Sequence, residues 1–300
     1  MKTIPEIVNF FNDDQVYITT ENQPAFTFVD LKKQIDWTKD FFTKNYIQKT
    51  DTIAIVIENG PVMATSFLAT ASNCCAAPLN PSYTSSEFDF YLEDLNPKAL
   101  IVTEGSNSPV IEVAKKREIR IFNLLVNNKD PSGKFSLTSN EEKLFNAINQ
   151  NDNIIPEDIA LILHTSGTTS KPKMVPLTHL NLCTSAKNIV QTLNLDRSDK
   201  CINIMPLFHI HGLVAGLLAV LYQSGTSIIP NSGFNALSFF KWLDEAKPSW
   251  YTAVPTMHQI ILSRADRNKE IIDSNPLRFI RSSSASLPKS VMKNLEKTFN

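Results

Sequence analysis

The sequence lacks several features by which common protein classes are recognised. Its 300 residues contain only four cysteines, irregularly spaced, and 29 basic against 30 acidic side chains, a net charge of −1. So few cysteines favour reduced, buried thiols in a cytoplasmic protein over a disulfide-stabilised secreted one. A balanced charge without a basic block argues against a nucleic-acid partner that is bound through phosphate neutralisation.

Long apolar runs are also missing. The longest, residues 213–222, is too short to cross a bilayer, and residues 1–6 lack the continuous apolar core of a secretory signal. The chain is nevertheless 42% apolar and 20% charged, which is typical of a soluble globular protein. Its length is enough for one large domain or two ordinary ones.

Short β-branched runs alternate with longer amphipathic stretches. In the first half this pattern predicts alternating strands and helices at 53–57, 61–72, 75–79, 86–95, 99–103, 108–117 and 119–122. In the second half it predicts strands at 159–164, 201–205, 226–229, 250–254 and 278–282, and helices at 178–193, 212–222, 235–245, 255–263 and 289–299. The polar stretch 127–153 is interpreted as a surface excursion with a short helix at 141–148. Strands separated by crossover-length helices indicate an α/β fold of predominantly parallel sheets layered with helices.

A cluster of hydroxyl side chains follows one of these predicted strands. Residues 161–173 read Leu-Ile-Leu-His-Thr-Ser-Gly-Thr-Thr-Ser-Lys-Pro-Lys, an apolar strand followed by five Ser and Thr residues around one glycine and then two lysines. Hydroxyls and free backbone N–H groups in a tight loop can surround phosphate oxygens, and lysines add positive charge. The alternative is a Ser/Thr-rich surface turn, but such turns seldom follow a buried strand. The pattern favours a phosphate-binding loop, although neither a Walker sequence nor Gly-x-Gly-x-x-Gly is present.

Residues 164–173 resemble the phosphate-binding signature of the adenylate-forming superfamily, which includes acyl- and aryl-CoA synthetases. Four further segments match it in order and spacing: Asn-Gly-Pro at 59–61, Pro-Leu-Asn-Pro-Ser-Tyr-Thr at 78–84, Met-Pro-Leu-Phe-His-Ile-His-Gly at 205–212 and Arg-Ser-Ser-Ser-Ala-Ser-Leu-Pro at 281–288. Ser170 and Met174 stand where many members have glycine. The sequence is most similar to the oxalyl-CoA synthetase branch.

This resemblance implies the large N-terminal, AMP-binding domain of the adenylate-forming fold across residues 1–300. Residues 289–299 predict a crossover helix that no strand follows. The superfamily's Tyr-Gly-x-Thr-Glu segment and its small C-terminal domain with the catalytic lysine are absent. We therefore expect an incomplete domain, truncated before its last strands.

The resemblance also implies an activity. In the family a carboxylate attacks the α-phosphate of Mg-ATP, giving an acyl-adenylate and pyrophosphate, and the thiol of CoA then displaces AMP. ATP, Mg²⁺ and CoA are the implied cofactors, with Thr168 as the hydroxyl nearest the metal. The residues expected at the pyrophosphate end are Thr165, Ser166, Gly167, Thr168, Thr169 and Lys173. Those expected beside adenine are Ser284, Ala285 and Ser286.

The same resemblance points to an acid pocket. In oxalate-activating relatives, a histidine and a serine at the positions of His209 and Ser284 hold the acid, which makes His209 the candidate catalytic residue. Without the motif, His209 would be interpreted as a core or helix-start histidine, and Ser284 equally well as a strand-end turn hydroxyl. His209 and His211 also have the spacing of strand-borne metal ligands. No carboxylate or cysteine close in sequence completes a zinc site.

Three functions stay open at this point. The first is a carboxylate–CoA ligase fragment for a small acid such as oxalate, with medium-chain or aryl acids as other substrates. The second is a non-catalytic nucleotide-binding remnant of such an enzyme. The third is a phosphotransferase or NTPase, which the missing acidic magnesium ligand disfavours.

Overall fold

Strands and helices alternate along the chain and form two sheets. The computed structural model describes residues 1–11, 14–139, 153–165 and 172–299. In these ranges the strands are β1 Val16–Thr19, β2 Phe26–Thr27, β3 Thr52–Val56, β4 Cys75–Pro78, β5 Ala99–Thr103, β6 Arg120–Leu125, β7 Ser136–Ser139, β8 Ile159–His164, β9 Met174–Thr178, β10 Lys200–Asn203, β11 Thr226–Ile228, β12 Trp250–Ala253 and β13 Phe279–Ser282.

The helices cover both faces of these sheets. They are α1 Ile4–Phe10, α2 Phe28–Lys44, α3 Pro61–Ala71, α4 Ser85–Leu95, α5 Val110–Lys116, α6 His179–Leu193, α7 Ala219–Tyr222, α8 Phe239–Ala246, α9 Pro255–Ala265, α10 Lys269–Ser274 and α11 Lys289–Phe299, with a π-helix at His211–Leu218 and a 3₁₀ turn at Asp266–Asn268. None of the helices in the described ranges is long and apolar enough to span a bilayer. The helix predicted at 141–148 lies outside those ranges.

Both sheets are mainly parallel. The seven-stranded sheet has the order β7-β6-β5-β3-β4-β8-β9 and the six-stranded sheet the order β13-β12-β10-β11-β1-β2. Among the strands of the described ranges, only β7, β9 and β2 pair antiparallel to their neighbours, and each lies at the edge of its sheet. The prediction of an α/β fold with predominantly parallel sheets is therefore confirmed.

The central strands are apolar on both faces because helices cover both. In β3, Ile53 and Ile55 belong to the main core, whereas Ala54 and Val56 face a second cluster beneath α4 and α5. Alternate residues of a strand point to opposite faces, so a strand between two helical layers needs apolar residues throughout. This is why the pattern of residues 53–57 was sufficient to predict a strand.

The helix predicted at 212–222 forms, but its first eight residues are a π-helix. The side-chain amide of Asn203, at the end of β10, donates a 3.0 Å hydrogen bond to the carbonyl oxygen of Gly212. Gly216 packs directly on that amide, since a Cβ at this glycine would lie 2.2 Å from the Asn203 side chain. A side chain that takes a carbonyl from the regular ladder favours the wider turn, and such turns are common at functional sites.

The carboxyl ends of the parallel strands carry the loops that matter for function. Asn59, which follows β3, accepts a 2.8 Å hydrogen bond at Oδ1 from the backbone N–H of Leu207, which follows β10. Gly60 lies so close to the next loop that a Cβ would be 3.0 Å from the carbonyl oxygen of Asn231. These contacts join the carboxyl-terminal edges of the two sheets.

The lowered pKa values of two buried histidines predict that the protein loses stability in acid. Burial lowers the pKa of both His179 and His258 to about 4, from 6.5 in an unfolded chain. Between these values the unfolded chain binds more protons, so the stabilisation is complete above pH 6.5 and is lost as the pH falls towards 4. We expect the midpoint of thermal unfolding to fall steadily from pH 7 to pH 4.5.

A matched variant isolates one of the two groups. The Nδ1 atom of His179 accepts a 3.2 Å hydrogen bond from the backbone N–H of Ile4, and an asparagine carbonyl can take over that role. His179→Asn should therefore flatten the pH dependence of the unfolding midpoint. An unchanged midpoint between pH 7 and pH 4.5 in the natural protein would contradict the assignment.

Candidate active site

The flanks of the hydroxyl loop are held together by a hairpin. β8 and β9 pair antiparallel, with His164 opposite Met174. Beyond that pair, the backbone N–H of Thr165 donates to the carbonyl oxygen of Lys173 at 3.0 Å, and the backbone N–H of Lys173 donates to Thr165 Oγ1 at 3.3 Å. The loop thus leaves and returns at one point on the carboxyl edge of the seven-stranded sheet.

Of the six residues predicted to hold phosphate, the structure describes only these two flanking positions. The other four lie outside the described residues: Ser166, Gly167, Thr168 and Thr169. Their assignment to phosphate, and that of Thr168 to Mg²⁺, stays a prediction. Lys173 itself is exposed.

The base of the loop is anchored to α4 through His164. Its Nε2 atom lies 2.9 Å from a carboxylate oxygen of Asp94, and its ring is only 4% exposed. The ring packs edge-on against Tyr91, with centroids 4.7 Å apart, and Tyr91 stacks on Tyr83 at the same distance. Tyr83 belongs to the motif at 78–84, so this motif packs, through Tyr91, against the ring of the histidine that precedes the loop.

A second polar cluster lies at the carboxyl ends of β12 and β13. Arg281 and Thr252 are directly opposite each other in this parallel pair. The side chain of His211, at the start of the π-helix, sits over both: its Nε2 lies 2.6 Å from Thr252 Oγ1 and 2.9 Å from Arg281 Nη1. Its other ring nitrogen, Nδ1, lies 2.9 Å from Ser284 Oγ.

His211 is held in a neutral state by its surroundings. It is buried, and burial together with the positive charge of Arg281 lowers its pKa to about 4. The glycine that follows allows this position, because a Cβ at Gly212 would lie 2.5 Å from the carbonyl oxygen of Pro206. The sequence His-Gly therefore places an imidazole ring tightly over the strand ends.

Ser284 has an unusual backbone conformation for its residue type. Its φ angle is +70°, in the left-handed region that non-glycine residues rarely adopt. The residue is exposed, whereas its hydroxyl oxygen is tied to the buried His211 ring. Strained conformations of this kind are concentrated at functional sites, where the surrounding structure enforces them.

His209 and Ser284, the predicted acid-pocket residues, follow β10 and β13 at the carboxyl edge of the six-stranded sheet. His209 lies in the turn before the π-helix, exposed, with its ring 4.6 Å from that of Phe208. It is a helix-start histidine, and the buried, fully hydrogen-bonded ring is that of His211. Ala285 and Ser286 are exposed in the segment after β13. The phosphate-loop flanks belong to one sheet and the Ser284 segment to the other.

Sequence reasoning missed three members of this cluster, His211, Thr252 and Arg281, and also Asp94. His211 and Arg281 were visible as parts of the motifs at 205–212 and 281–288, and His211 was considered only as a partner of His209 for a metal. Among the residues that the structure describes, no three His, Cys, Asp or Glu side chains are grouped closely enough to hold a metal ion. Thr252 lies in none of the five motifs, so nothing in the sequence indicates its part in this cluster.

Comparison with known proteins decides the family. Residues 7–300 match the sequence profile of the AMP-binding enzyme family. The chain belongs to the AMP-binding enzyme family. The predicted resemblance to adenylate-forming enzymes is therefore confirmed.

Several relatives in this AMP-binding family have names. The chain is 40% identical over 255 residues to a protein of Arabidopsis thaliana named oxalate–CoA ligase, covering 84% of this chain and 49% of that one. It is 34% identical to the oxalate–CoA ligase of Saccharomyces cerevisiae, covering 96% and 57%, and 37% identical to the probable CoA ligase CCL9 of Humulus lupulus, covering 95% and 54%. The chain thus spans about half the length of the curated relatives that it matches.

Solved structures have the same fold as this chain. ATP-bound MatB from Rhodopseudomonas palustris superposes with a TM-score of 0.80 at 21% identity, covering 99% of this chain and 57% of MatB. The N-terminal domain of FACL13 from Mycobacterium tuberculosis gives the same TM-score at 19% identity, covering 99% and 73%. At this identity the likeness establishes the fold, and the predicted large N-terminal domain architecture is confirmed.

The π-helix packs so closely against Asn203 at the end of β10 that adding one methyl group at Gly216 should lower the free energy of unfolding. Gly216→Ala would place its Cβ within the Asn203 amide, so we expect a loss of about 1–3 kcal/mol in the free energy of unfolding. Urea denaturation measures it. Asn203→Ala removes the obstructing group, so the double variant should lose less than the sum of the single losses. Additive losses would contradict the contact.

Proposed function

We propose that this chain provides the nucleotide- and acid-binding part of an ATP-dependent carboxylate–CoA ligase for a small acid such as oxalate. The observation that carries the proposal is the contact between the motifs at 205–212 and 281–288. The bond between His211 and Ser284 presents a hydroxyl at the carboxyl edge of the six-stranded sheet, and His209 precedes the same helix. The two named oxalate–CoA ligases among its relatives support the choice of acid.

The proposed reaction has two steps. A carboxylate oxygen of the acid attacks the α-phosphorus of ATP, forming the acyl-adenylate while the bond to pyrophosphate breaks. The thiol of CoA then loses its proton to solvent, its sulfur attacks the acyl carbon, and AMP leaves with the electrons of the broken C–O bond. Both steps depend on holding the reactants in line and on stabilising the negative charge of the leaving group.

In this proposal the carboxyl edge of the seven-stranded sheet binds the phosphates of ATP, and that of the six-stranded sheet binds adenine. Thr165 and Lys173, with the hydroxyls and N–H groups between them, hold the pyrophosphate end of ATP. Ser284, Ala285 and Ser286 lie against adenine. Mg²⁺ supplies neutralisation of phosphate charge when it enters with ATP, and Thr168 is the hydroxyl proposed nearest to it, an oxygen donor of the kind this hard cation prefers.

His209 and Ser284 are proposed to bind the acid. An imidazole and a hydroxyl each offer a hydrogen to carboxylate oxygens, and a short diacid presents such oxygens at both ends. Arg281, directly behind this cluster, adds a positive charge that favours a dianion.

A second function is a nucleotide-binding chain without catalysis. Titration of oxalate into the chain saturated with a non-hydrolysable ATP analogue separates the two functions. Oxalate binding supports the ligase part, whereas ATP binding without oxalate binding supports the second function.

Lys173 is expected to contribute to ATP affinity. Replacing this exposed ammonium group by Lys173→Ala should weaken ATP binding about tenfold or more, because a charge-assisted hydrogen bond to phosphate is lost. Isothermal titration with Mg-ATP measures the change. Lys187→Ala on the exposed side of α6 is the matched control and should leave the affinity unchanged. Equal affinities of both variants would contradict the role of Lys173.

His209 is expected to act on the acid and not on the nucleotide. His209→Ala should weaken oxalate binding about tenfold or more, the usual effect of losing a hydrogen bond to a charged group, with ATP affinity within about twofold. Oxalate is titrated into the protein saturated with a non-hydrolysable ATP analogue. Equal loss of both affinities would remove His209 from the acid pocket.

A further inference from the structure

The hydrogen bonds around His211 determine where its proton lies. A neutral imidazole has one nitrogen that donates and one that accepts. The Nε2 atom of His211 lies 2.9 Å from Arg281 Nη1, and a guanidinium can only donate. Nε2 must therefore be the acceptor. The proton of the neutral ring is then on Nδ1.

Thr252 is compatible with this assignment. Its Oγ1 lies 2.6 Å from His211 Nε2 and 3.2 Å from Arg281 Nη1. A hydroxyl can accept from Arg281 while its own hydrogen turns towards Nε2. Both contacts of Nε2 are compatible with an unprotonated nitrogen, whose one lone pair they share, whereas a hydrogen on Nε2 would oppose the N–H of Arg281.

The proton on Nδ1 has a consequence for Ser284. Nδ1–H donates to Ser284 Oγ across 2.9 Å, so this oxygen is an acceptor in that bond and the serine hydrogen is left for another partner. Ser284 is exposed, and its backbone is left-handed, with φ at +70°. Its O–H group is therefore available to a ligand at the carboxyl edge of the sheet.

We propose that His211 is a positioning residue that makes Ser284 a hydrogen-bond donor towards a carboxylate oxygen of a dianionic acid. This rests on the proposed function, in which Ser284 binds the acid, and adds the direction of its hydrogen bond. The substrate class that matches is an anion with acceptor oxygens. Ser284 Oγ already accepts one hydrogen bond, from Nδ1–H, whereas its own hydrogen has no acceptor among the described residues, so an acceptor oxygen of the ligand can take it.

The charge of Arg281 supports the same class of ligand. This guanidinium is half-buried, and its contacts are with neutral groups: His211, Thr252 and Ser283. No ion pair joins it to a carboxylate among the residues that the structure describes. Within the described part of the chain no carboxylate neutralises its positive charge, which favours a negative ligand at the adjacent hydroxyl.

The position of the proton can be measured directly on the chain itself. Nitrogen-15 NMR of labelled histidine distinguishes rings protonated on Nδ1 from rings protonated on Nε2, and the His211 signal is identified by its loss in His211→Asn. We expect a neutral ring protonated on Nδ1 between pH 6 and 8. A ring protonated on Nε2, or on both nitrogens, would overturn the proposal whatever the acid affinity is.

Two substitutions then test the effect on the acid. An asparagine amide can place an N–H near the position of Nδ1, whereas leucine offers none. We expect His211→Asn to keep oxalate affinity within about threefold, and His211→Leu to lose about tenfold, in titrations of the protein saturated with a non-hydrolysable ATP analogue. ATP affinity should be unchanged in both. Equal losses in the two variants would show a merely structural role and would overturn the proposal.

The background of Ser284→Ala separates this inference from the function on which it rests. If His211 acts through Ser284, His211→Leu should reduce oxalate affinity no further once the hydroxyl is gone. A full additional loss would contradict the inference while leaving an oxalate-binding function in place. Failure of the natural protein to bind oxalate would overturn the proposed function, and the NMR measurement would still decide the state of His211.

Discussion

The arrangement at the carboxyl edge depends on the hydrogen bonds of His211. This one ring joins the ends of two parallel strands, through Thr252 and Arg281, to the helix that follows a third strand. Parallel pairing brings these ends to one edge, where their polar groups need partners. A buried neutral imidazole supplies them and reaches Ser284 at the surface. The position of the serine hydroxyl is therefore set by a hydrogen bond to a buried ring.

The hydroxyl loop between Thr165 and Lys173 is held on the seven-stranded sheet by other contacts. Its two flanks are closed by hydrogen bonds between Thr165 and Lys173, and the preceding His164 is fixed by Asp94 and the ring of Tyr91. The contact of Asn59 with the loop after β10 connects the two edges. A ligand that reaches from phosphate to acid would therefore be held between rigid supports on both sides, which is what a bimolecular transfer needs.

Most central strands and their covering helices could be predicted from the sequence, whereas the long-range hydrogen bonds of the site could not. Buried central strands such as β3 have an apolar pattern that is visible locally, but β9 contains Pro176 and was not predicted, since proline is compatible with an edge strand only. The motifs located the loops because they are contiguous. The bond from His211 to Ser284 spans 73 residues and that from His164 to Asp94 spans 70, so each depends on the assembled fold. The π-helix likewise depends on Asn203, which lies on another element.

In the proposed function, nucleotide and acid meet between the carboxyl edges of the seven-stranded and six-stranded sheets. A crystal structure of the chain with a non-hydrolysable ATP analogue and oxalate tests it most directly. We expect the phosphates within hydrogen-bond distance of the loop between Thr165 and Lys173, and an oxalate oxygen about 2.7 Å from Ser284 Oγ. A nucleotide bound elsewhere, or oxalate away from Ser284 with His211 still in its present bonds, would contradict the account.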